Sequence, residues 1–312
     1  MLLDTAALYF RAFYGVPDKV KAPDGTPVNA VRGLLDMIGR LVAEFEPTEL
    51  VACWDDDWRP QWRVDLIPEY KSHRVAEVLE HGPDEEVVPD ALTAQVPIII
   101  ETLTALGIAI VGKKDYEADD VIGTLAANAS QPVDVVTGDR DLFQVVDDER
   151  KVRVIYTARG MSKLEIITDS VLREKYGISA EQYADFAVMR GDTSDGLPGV
   201  SGIGEKTAAS LLREFGDLSG IVAAAGEGPS VPLSPSIKAK IRAAADYLER
   251  APKVVAVARD LELGSFDATI GISGDGRDEF ARLATRWGLG GSATRVVAAL
   301  DDAAGRSGVQ GR

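Results

Sequence analysis

Nine carboxylates stand where apolar runs of this chain end. Asp4 closes the run Met1-Leu-Leu, and Asp55 follows Leu50-Val-Ala-Cys-Trp54. Glu117, Asp119 and Asp120 come just after residues 108–111, and Asp139 and Asp141 follow residues 133–136. Asp192 and Asp195 trail the apolar stretch 180–190 and can reach the same place. Gathered carboxylates repel and raise one another's pKa. Divalent cations remove that cost, and an all-oxygen ligand set favours Mg²⁺ or Mn²⁺ over zinc. Two such ions about 4 Å apart suit in-line displacement at phosphorus. Any one of these acids alone reads as a helix cap or a turn former. Glu117-Ala-Asp-Asp alone reads as a complement to a helix dipole, and the Asp139-Arg-Asp141 pair alone also suits an aspartate-nucleophile phosphatase. The joint placement is what points to metal.

The elements that must position these acids alternate. Residues 1–4, 50–54, 108–111, 133–136 and 152–156 read as short buried strands. Residues 28–45, 91–106 and 117–129 carry apolar side chains at helical spacing. Short apolar strands separated by helices predict an α/β fold with a mostly parallel, doubly wound sheet flanked by helices. In such a sheet ligands bind at the carboxyl ends of the strands, and seven of the nine acids are expected there. Residues 58–89 break the pattern. They hold Trp58, Arg59, Trp62, Arg63, Tyr70, Lys71, His73 and Arg74, then an acidic run at 81–86, and are too long and polar for an ordinary loop. From residue 168 the chain reads as helical, at 169–176, 180–190, 205–215 and 236–251, with a mobile connection at 223–230 and a frayed tail at 301–312.

Residues 198–207, Pro-Gly-Val-Ser-Gly-Ile-Gly-Glu-Lys-Thr, sit between two predicted helices. Gly202 and Gly204 allow a tight turn that presents backbone N–H groups at a helix N-terminus, a phosphate site, and Lys206 adds a cation. The pattern resembles a helix-hairpin-helix element, which holds a DNA backbone without reading its sequence. Carbonyls of Val200 and Ile203, with Ser201, offer a weaker site for K⁺.

The 312 residues carry 34 basic and 50 acidic side chains, a formal charge of −16, which on its own argues against nucleic acid as a partner. Cys53 is alone, so no intramolecular disulfide or cysteine zinc site can form, and the two histidines leave no His-rich site. No run approaches the ~18 apolar residues of a membrane helix, and no signal peptide precedes Asp4; a cytoplasmic setting is expected.

The motifs together resemble the 5′ nucleases, or flap endonucleases, in their bacterial branch, similar to the N-terminal 5′→3′ exonuclease domain of DNA polymerase I. They are Leu-Leu-Asp4 with Tyr9 to Phe13, Asp24-Gly-Thr-Pro-Val28, Trp54-Asp55, Tyr70-Lys-Ser-His-Arg74, Asp115-Tyr-Glu-Ala-Asp-Asp120, Thr137-Gly-Asp-Arg-Asp141 and the run 191–207. Thr5 and Gly196 depart from the family's usual Gly and Asn. The resemblance implies a PIN-like nuclease core at 1–167 with a helical arch at about 60–95. It also implies a helical DNA-binding region at 168–300 with the hairpin at about 180–215. It implies one metal site from Asp4, Asp55, Glu117 and Asp119. The second would draw on Asp139, Asp141 and Asp192, with Asp120 and Asp195 direct, bridging or in an outer layer. Lys71 and Arg74 would engage the scissile phosphate, Arg11 and Arg63 would contact phosphates, and Tyr70 would stack on a base. The implied activity is two-metal-ion hydrolysis of DNA as 5′-3′ exonuclease and flap endonuclease, in replication or repair. The implied partner is DNA with a free 5′ end, bound by a monomer at the nucleoid. A PIN-type ribonuclease, a DNA-junction binder without catalysis and an aspartate-nucleophile phosphotransferase are the alternatives.

Overall fold

A computed structural model describes residues 1–77, 84–227 and 232–310. Among the described residues eight strands form in chain order: β1 (Leu2–Asp4), β2 (Val51–Cys53), β3 (Val75–Glu77), β4 (Glu85–Glu86), β5 (Ala109–Val111), β6 (Val133–Thr137), β7 (Val152–Tyr156) and β8 (Glu165–Ile167). Six of them make one sheet in the order β5-β2-β1-β6-β7-β8. All its pairings are parallel except the last, where β8 runs antiparallel to β7. The sheet is therefore mostly parallel, as the alternation predicted, with one edge strand that the sequence reading missed. Successive residues point to opposite faces. Leu2, Val135 and Val154 enter one core and Leu3, Val136 and Ile155 the other.

Fourteen α-helices surround the sheet among the described residues. The first half contributes α1 (Thr5–Gly15), α2 (Asn29–Phe45), α3 (Gln61–Leu66), α4 (Asp90–Thr93), α5 (Val96–Ala105) and α6 (Ala118–Asn128). The helix predicted over 91–106 is broken into α4 and α5 where Pro97, which lacks an N–H and crowds the Thr93 carbonyl, enters the first turn of α5. At the break, the buried Gln95 accepts the N–H groups of Ala30 and Val31, at 2.8 and 3.4 Å. It thereby caps α2, whose own N-cap, Val28, has no side chain able to do so.

The second half contributes α7 (Asp169–Tyr176), α8 (Tyr183–Arg190), α9 (Glu205–Phe215), α10 (Leu218–Gly226), α11 (Pro235–Ala243), α12 (Ala245–Val255), α13 (Gly274–Arg286) and α14 (Gly290–Gln310). Three expectations are corrected here. Residues 223–226 are not a mobile connection but the end of α10, with Ala224 and Ala225 buried; residues 228–231 lie outside the described ones. The tail expected at 301–312 is helical through Gln310, with Ala303 buried. The helical region is not continuous to residue 300, because α13 and α14 return to the sheet domain. There α14 crosses α2 so closely that a Cβ on Gly39 would lie 3.2 Å from Val296 Cα, and Arg295 grips Asp36 at 2.8 Å.

The stretch expected to form a helical arch holds α3, one 3₁₀ turn at Ser72–Arg74, the antiparallel pair β3–β4 and the short α4 among its described residues. Residues 78–83, including His81, lie outside the described ones.

Candidate active site at the carboxyl edge of the sheet

The parallel strands deliver their carboxylates to one edge. Asp4 ends β1 and caps α1, accepting the Ala7 N–H at 3.1 Å and the Thr137 hydroxyl at 2.6 Å. Asp55 lies just beyond β2 and accepts the Ala118 N–H at 2.8 Å. Glu117 is the N-cap of α6, with Asp119 and Asp120 in its first turn. Asp139 follows β6 and accepts the Asp141 N–H at 2.8 Å. Asp192 pairs in an isolated bridge with Leu197, which closes the turn that holds Asp195. Gly196 takes φ +71° in that turn, and a Cβ there would lie 2.3 Å from the Glu69 carbonyl. A left-handed position is open to Gly and Asn, but the close Glu69 carbonyl leaves room here only for Gly.

A cleft of about 680 Å³ opens over this edge, lined by Asp4, Asp55, Glu117, Asp119, Asp139 and Asp192 together with Arg11, Lys71, Arg74 and Arg140. Asp141 and Asp195 line a small cavity behind it that shares Glu117 and Asp119. The sequence-predicted acids are thus assembled from four strand ends and one turn.

The acids fall into two electrostatic classes. Burial, then the neighbouring Asp55 and Asp139, push the Asp4 carboxyl up to about 7. Burial and Glu117 push Asp55 up to about 6. Asp119 and Asp141 are also raised well above the usual carboxylate range, by burial first and then by facing carboxylates. Asp195 is raised mainly by burial. Glu117 goes the other way. Burial opposes its ionisation, but Lys71 and Arg63 outweigh it and hold the carboxyl below its usual range. Asp192 is also held low, since its hydrogen bonds from Ser194 and the charge of Arg190 overcome burial.

Two expected DNA contacts are corrected by this network. Arg63 is 2% exposed. It donates to Glu117 at 2.7 Å, to both oxygens of Asp120 at 2.8 and 2.9 Å, and to the Val254 carbonyl at 3.0 Å. Its guanidinium is consumed inside the protein, so it is no phosphate contact here. Tyr70 is buried and donates to Glu117 at 2.7 Å, with no face open for a base. Asp120 also accepts the Glu117 and Ala258 N–H groups. Its four bonds occupy both oxygens. Lys71, in a left-handed backbone conformation with φ 48°, donates its ammonium to Glu117. Arg74 reaches Asp195 at 3.1 Å and the Ser194 carbonyl at 2.6 Å.

The donor chemistry fits divalent ions: hard oxygens, carboxyls that burial and mutual repulsion disfavour as anions, and a buried Asp141 oxygen with no hydrogen-bond partner. Among the described residues no three of these groups stand in ligating geometry. Arg11 lines the cleft with a buried, unbonded Nε.

The hairpin forms where predicted. Gly202 takes φ +73°, Gly204 is the N-cap of α9, and Gly202, Gly204 and Lys206 are exposed while Val200 and Ile203 are buried. The sequence reading missed several partners. Thr137 orients Asp4, Arg190 joins Asp192 to the hairpin, and Lys240 donates to the Gly202 carbonyl at 2.9 Å. Arg190 had one legible signal, since it directly precedes Gly191-Asp192.

Residues 1–177 match the 5'-3' exonuclease N-terminal, resolvase-like domain, and residues 178–273 its C-terminal SAM fold. A 5'-3' exonuclease of Streptomyces coelicolor is 60% identical over 302 residues, 96% of this chain and 99% of that protein. DNA polymerase I of Mycobacterium bovis is 42% identical over 226 residues, 71% of this chain and 24% of that protein. Among solved structures, a bacteriophage T5 flap endonuclease complexed with DNA and metal ions superposes with a TM-score of 0.63 at 17% identity, over 96% of this chain and 98% of that one. Strand-end carboxylates, hairpin and helical second half thus lie within one continuous likeness, and the chain belongs to the 5′-3′ exonuclease family.

Proposed function

We propose that the cleft hydrolyses DNA phosphodiesters with two divalent ions, Mg²⁺ or Mn²⁺, at a free 5′ end presented by a flap or junction. The observation that carries this reading is the set of buried carboxyls held above their usual range at one sheet edge, facing a cleft that also holds Lys71, Arg74 and Arg11. Asp4, Asp55, Glu117 and Asp119 would hold one ion, and Asp139, Asp141, Asp192 and Asp195 the other, with Asp120 supporting from behind. Bound there, the ions supply Lewis-acid polarisation of the phosphoryl oxygen and lower the pKa of a water. Lys71 and Arg74 bring positive charge to the scissile phosphate, each leaving the carboxylate that now holds it. Removing Lys71 should therefore slow single-turnover cleavage more than it weakens binding.

Binding must be local, because the chain is acidic overall. The exposed hairpin amides and Lys206 hold duplex backbone, and Arg11 holds the strand in the cleft. Such contacts follow DNA shape and not sequence. A K⁺ held by Val200, Ser201 and Ile203 would first have to displace the Lys240 ammonium from Gly202. The protein works as a monomer, and its substrate places it at the nucleoid; no described helix is long and apolar enough to cross a membrane.

The test is cleavage of a 5′-flapped duplex in EDTA, then with Mg²⁺ or Mn²⁺ added. None should occur in EDTA, and either ion should restore it. Cleavage of single-stranded RNA in preference to the flap favours the PIN-type ribonuclease, and flap binding without cleavage favours the junction binder. Cleavage that survives EDTA overturns the metal reading.

A further inference from the structure

Between the carboxylate cleft and the hairpin stand two arginines that the reading above has not used, beside the hairpin amides that it has. Arg190, the last residue of α8, has a side chain only 9% exposed. It donates to Asp192 at 3.1 Å and to the Gly191 carbonyl at 3.0 Å, and stands 4.0 Å from Asp141. Its Nη1 is buried and has no hydrogen-bond partner. That nitrogen is aimed at Glu205, whose carboxylate lies 3.7 Å away, beyond hydrogen-bond reach. Arg140, on the cleft wall, approaches the same Glu205 oxygen from its own side, also at 3.7 Å.

Glu205 is the first residue of α9, and its side chain is half exposed, at 51%. The N-cap of that helix is Gly204, which has no side chain to satisfy the first amides. Two guanidiniums and an uncapped helix start therefore converge on one anionic position. A loosely held carboxylate sits there, with neither arginine bonded to it. An unpaired, buried guanidinium N–H carries a desolvation cost. The two non-bridging oxygens of a backbone phosphodiester can accept from Arg190 Nη1 and from the Arg140 guanidinium, neither of which the Glu205 carboxylate bonds at 3.7 Å.

We propose that Arg140, Arg190 and the start of α9 form a subsite for a backbone phosphate of the bound DNA, between the scissile position and the hairpin, and that Glu205 is its displaceable stand-in. The proposal rests on the reading of the cleft as a DNA site. Displacing Glu205 frees Arg190 to keep its grip on Asp192 while it bonds phosphate. Seating of the duplex is thus mechanically tied to the carboxylates of the second proposed ion.

The experiment measures affinity for a 5′-flapped duplex in EDTA, where no cleavage occurs, by fluorescence anisotropy across a salt series. Glu205→Gln should tighten binding several-fold, because the phosphate no longer displaces a charge. Glu214→Gln, an exposed acid on the same helix, controls for loss of general repulsion and should do much less. Arg140→Met should weaken binding and flatten the log affinity against log salt by roughly 0.9. In the double variant the gain from Glu205→Gln should disappear. Arg140 is 41% exposed, so its replacement tests the subsite even where Arg190→Met fails to fold. A single methylphosphonate at the contacted phosphate should cost the wild type affinity and leave Arg140→Met unaffected. Inorganic phosphate, added as a competitor, distinguishes an ion site from a backbone site: competition at millimolar phosphate would overturn the assignment to DNA backbone. Equal effects of Glu205→Gln and Glu214→Gln, or additive effects of Glu205→Gln and Arg140→Met, would overturn the subsite and leave the DNA reading standing. Failure of the wild type to bind the flap at all would overturn both.

Discussion

The two halves of the acidic edge solve the same electrostatic problem differently. Around Glu117 and Asp120 the protein supplies its own cations: Arg63 bonds both acids, Lys71 and Tyr70 bond Glu117, and Glu117 is held ionised. Around Asp4, Asp119 and Asp141 it supplies almost none, and those carboxyls rise above their usual range. The contrast teaches that clustering alone does not identify a metal ligand. Asp120, whose two oxygens each meet two protein donors, is satisfied as it stands, whereas Asp141, with a buried oxygen that meets none, is left for a charge that the chain does not carry.

The hardest test of that contrast is catalytic. Asp141→Asn should cut the cleavage rate by more than the roughly 100-fold that losing an outer partner costs, while binding of the flap in EDTA stays near wild type. Wild-type cleavage by Asp141→Asn would dissolve the distinction between the halves. The converse test is stability. Arg63→Met leaves two buried carboxylates without their partner and should cost about 3–5 kcal/mol in urea unfolding. Asp141→Asn, by contrast, should stabilise the metal-free protein. Equal losses for the two would mean that both halves are structural.

Smaller, and on the open half alone, is the response to pH without metal. Asp4 titrates near 7 and Asp55 near 6 in the folded chain, against 3.8 when exposed. Between those limits the folded state binds more protons than the unfolded one, so stability falls as pH rises. In EDTA the stability should fall by several kcal/mol from pH 4 to pH 7, read as a drop in melting temperature. Saturating Mg²⁺ should erase most of the drop, by mass action on the folded form. A flat profile in EDTA would show that the carboxyls are not destabilised. The smallest expected effect lies away from the acids. Lys206→Ala should flatten the salt dependence of flap binding by roughly 0.9, equally on two unrelated sequences. An effect on one sequence only would remove the hairpin from backbone recognition.

The carboxylate edge was legible because each acid directly follows an apolar run, and the period of the runs fixes which end of the sheet it meets. The hairpin was legible because Gly202, Gly204 and Lys206 lie within five residues. What pairs across distance was not legible. Arg63 meets Glu117 54 positions away and Val254 191 positions away, so local sequence shows only a basic residue in a polar stretch, and the ordinary inference of an exposed cation is wrong. Gln95 caps a helix whose first amides lie 64 and 65 residues earlier. Strand β8 was hidden because an edge strand of three residues has too little apolar pattern to stand out. The docking of α14 on α2 depends on a bare Cα at Gly39, and nothing in the spacing announces that.

The position of β1 also sets the order in which this molecule can be made. Its three residues lie inside the sheet, pairing Leu2 with Val51 on one side and with Val135 on the other. On a ribosome adding roughly 5–20 residues per second, Val135 emerges about 7–27 s after Leu2. During that interval the nascent strand has an open edge and an unburied leucine. Asp4 receives its hydroxyl from Thr137 only after the same wait. The most central carboxylate of the edge is therefore fixed late, and a trigger factor or another holdase that shields the first few residues should raise the yield of active chains more than one acting on the helical second half.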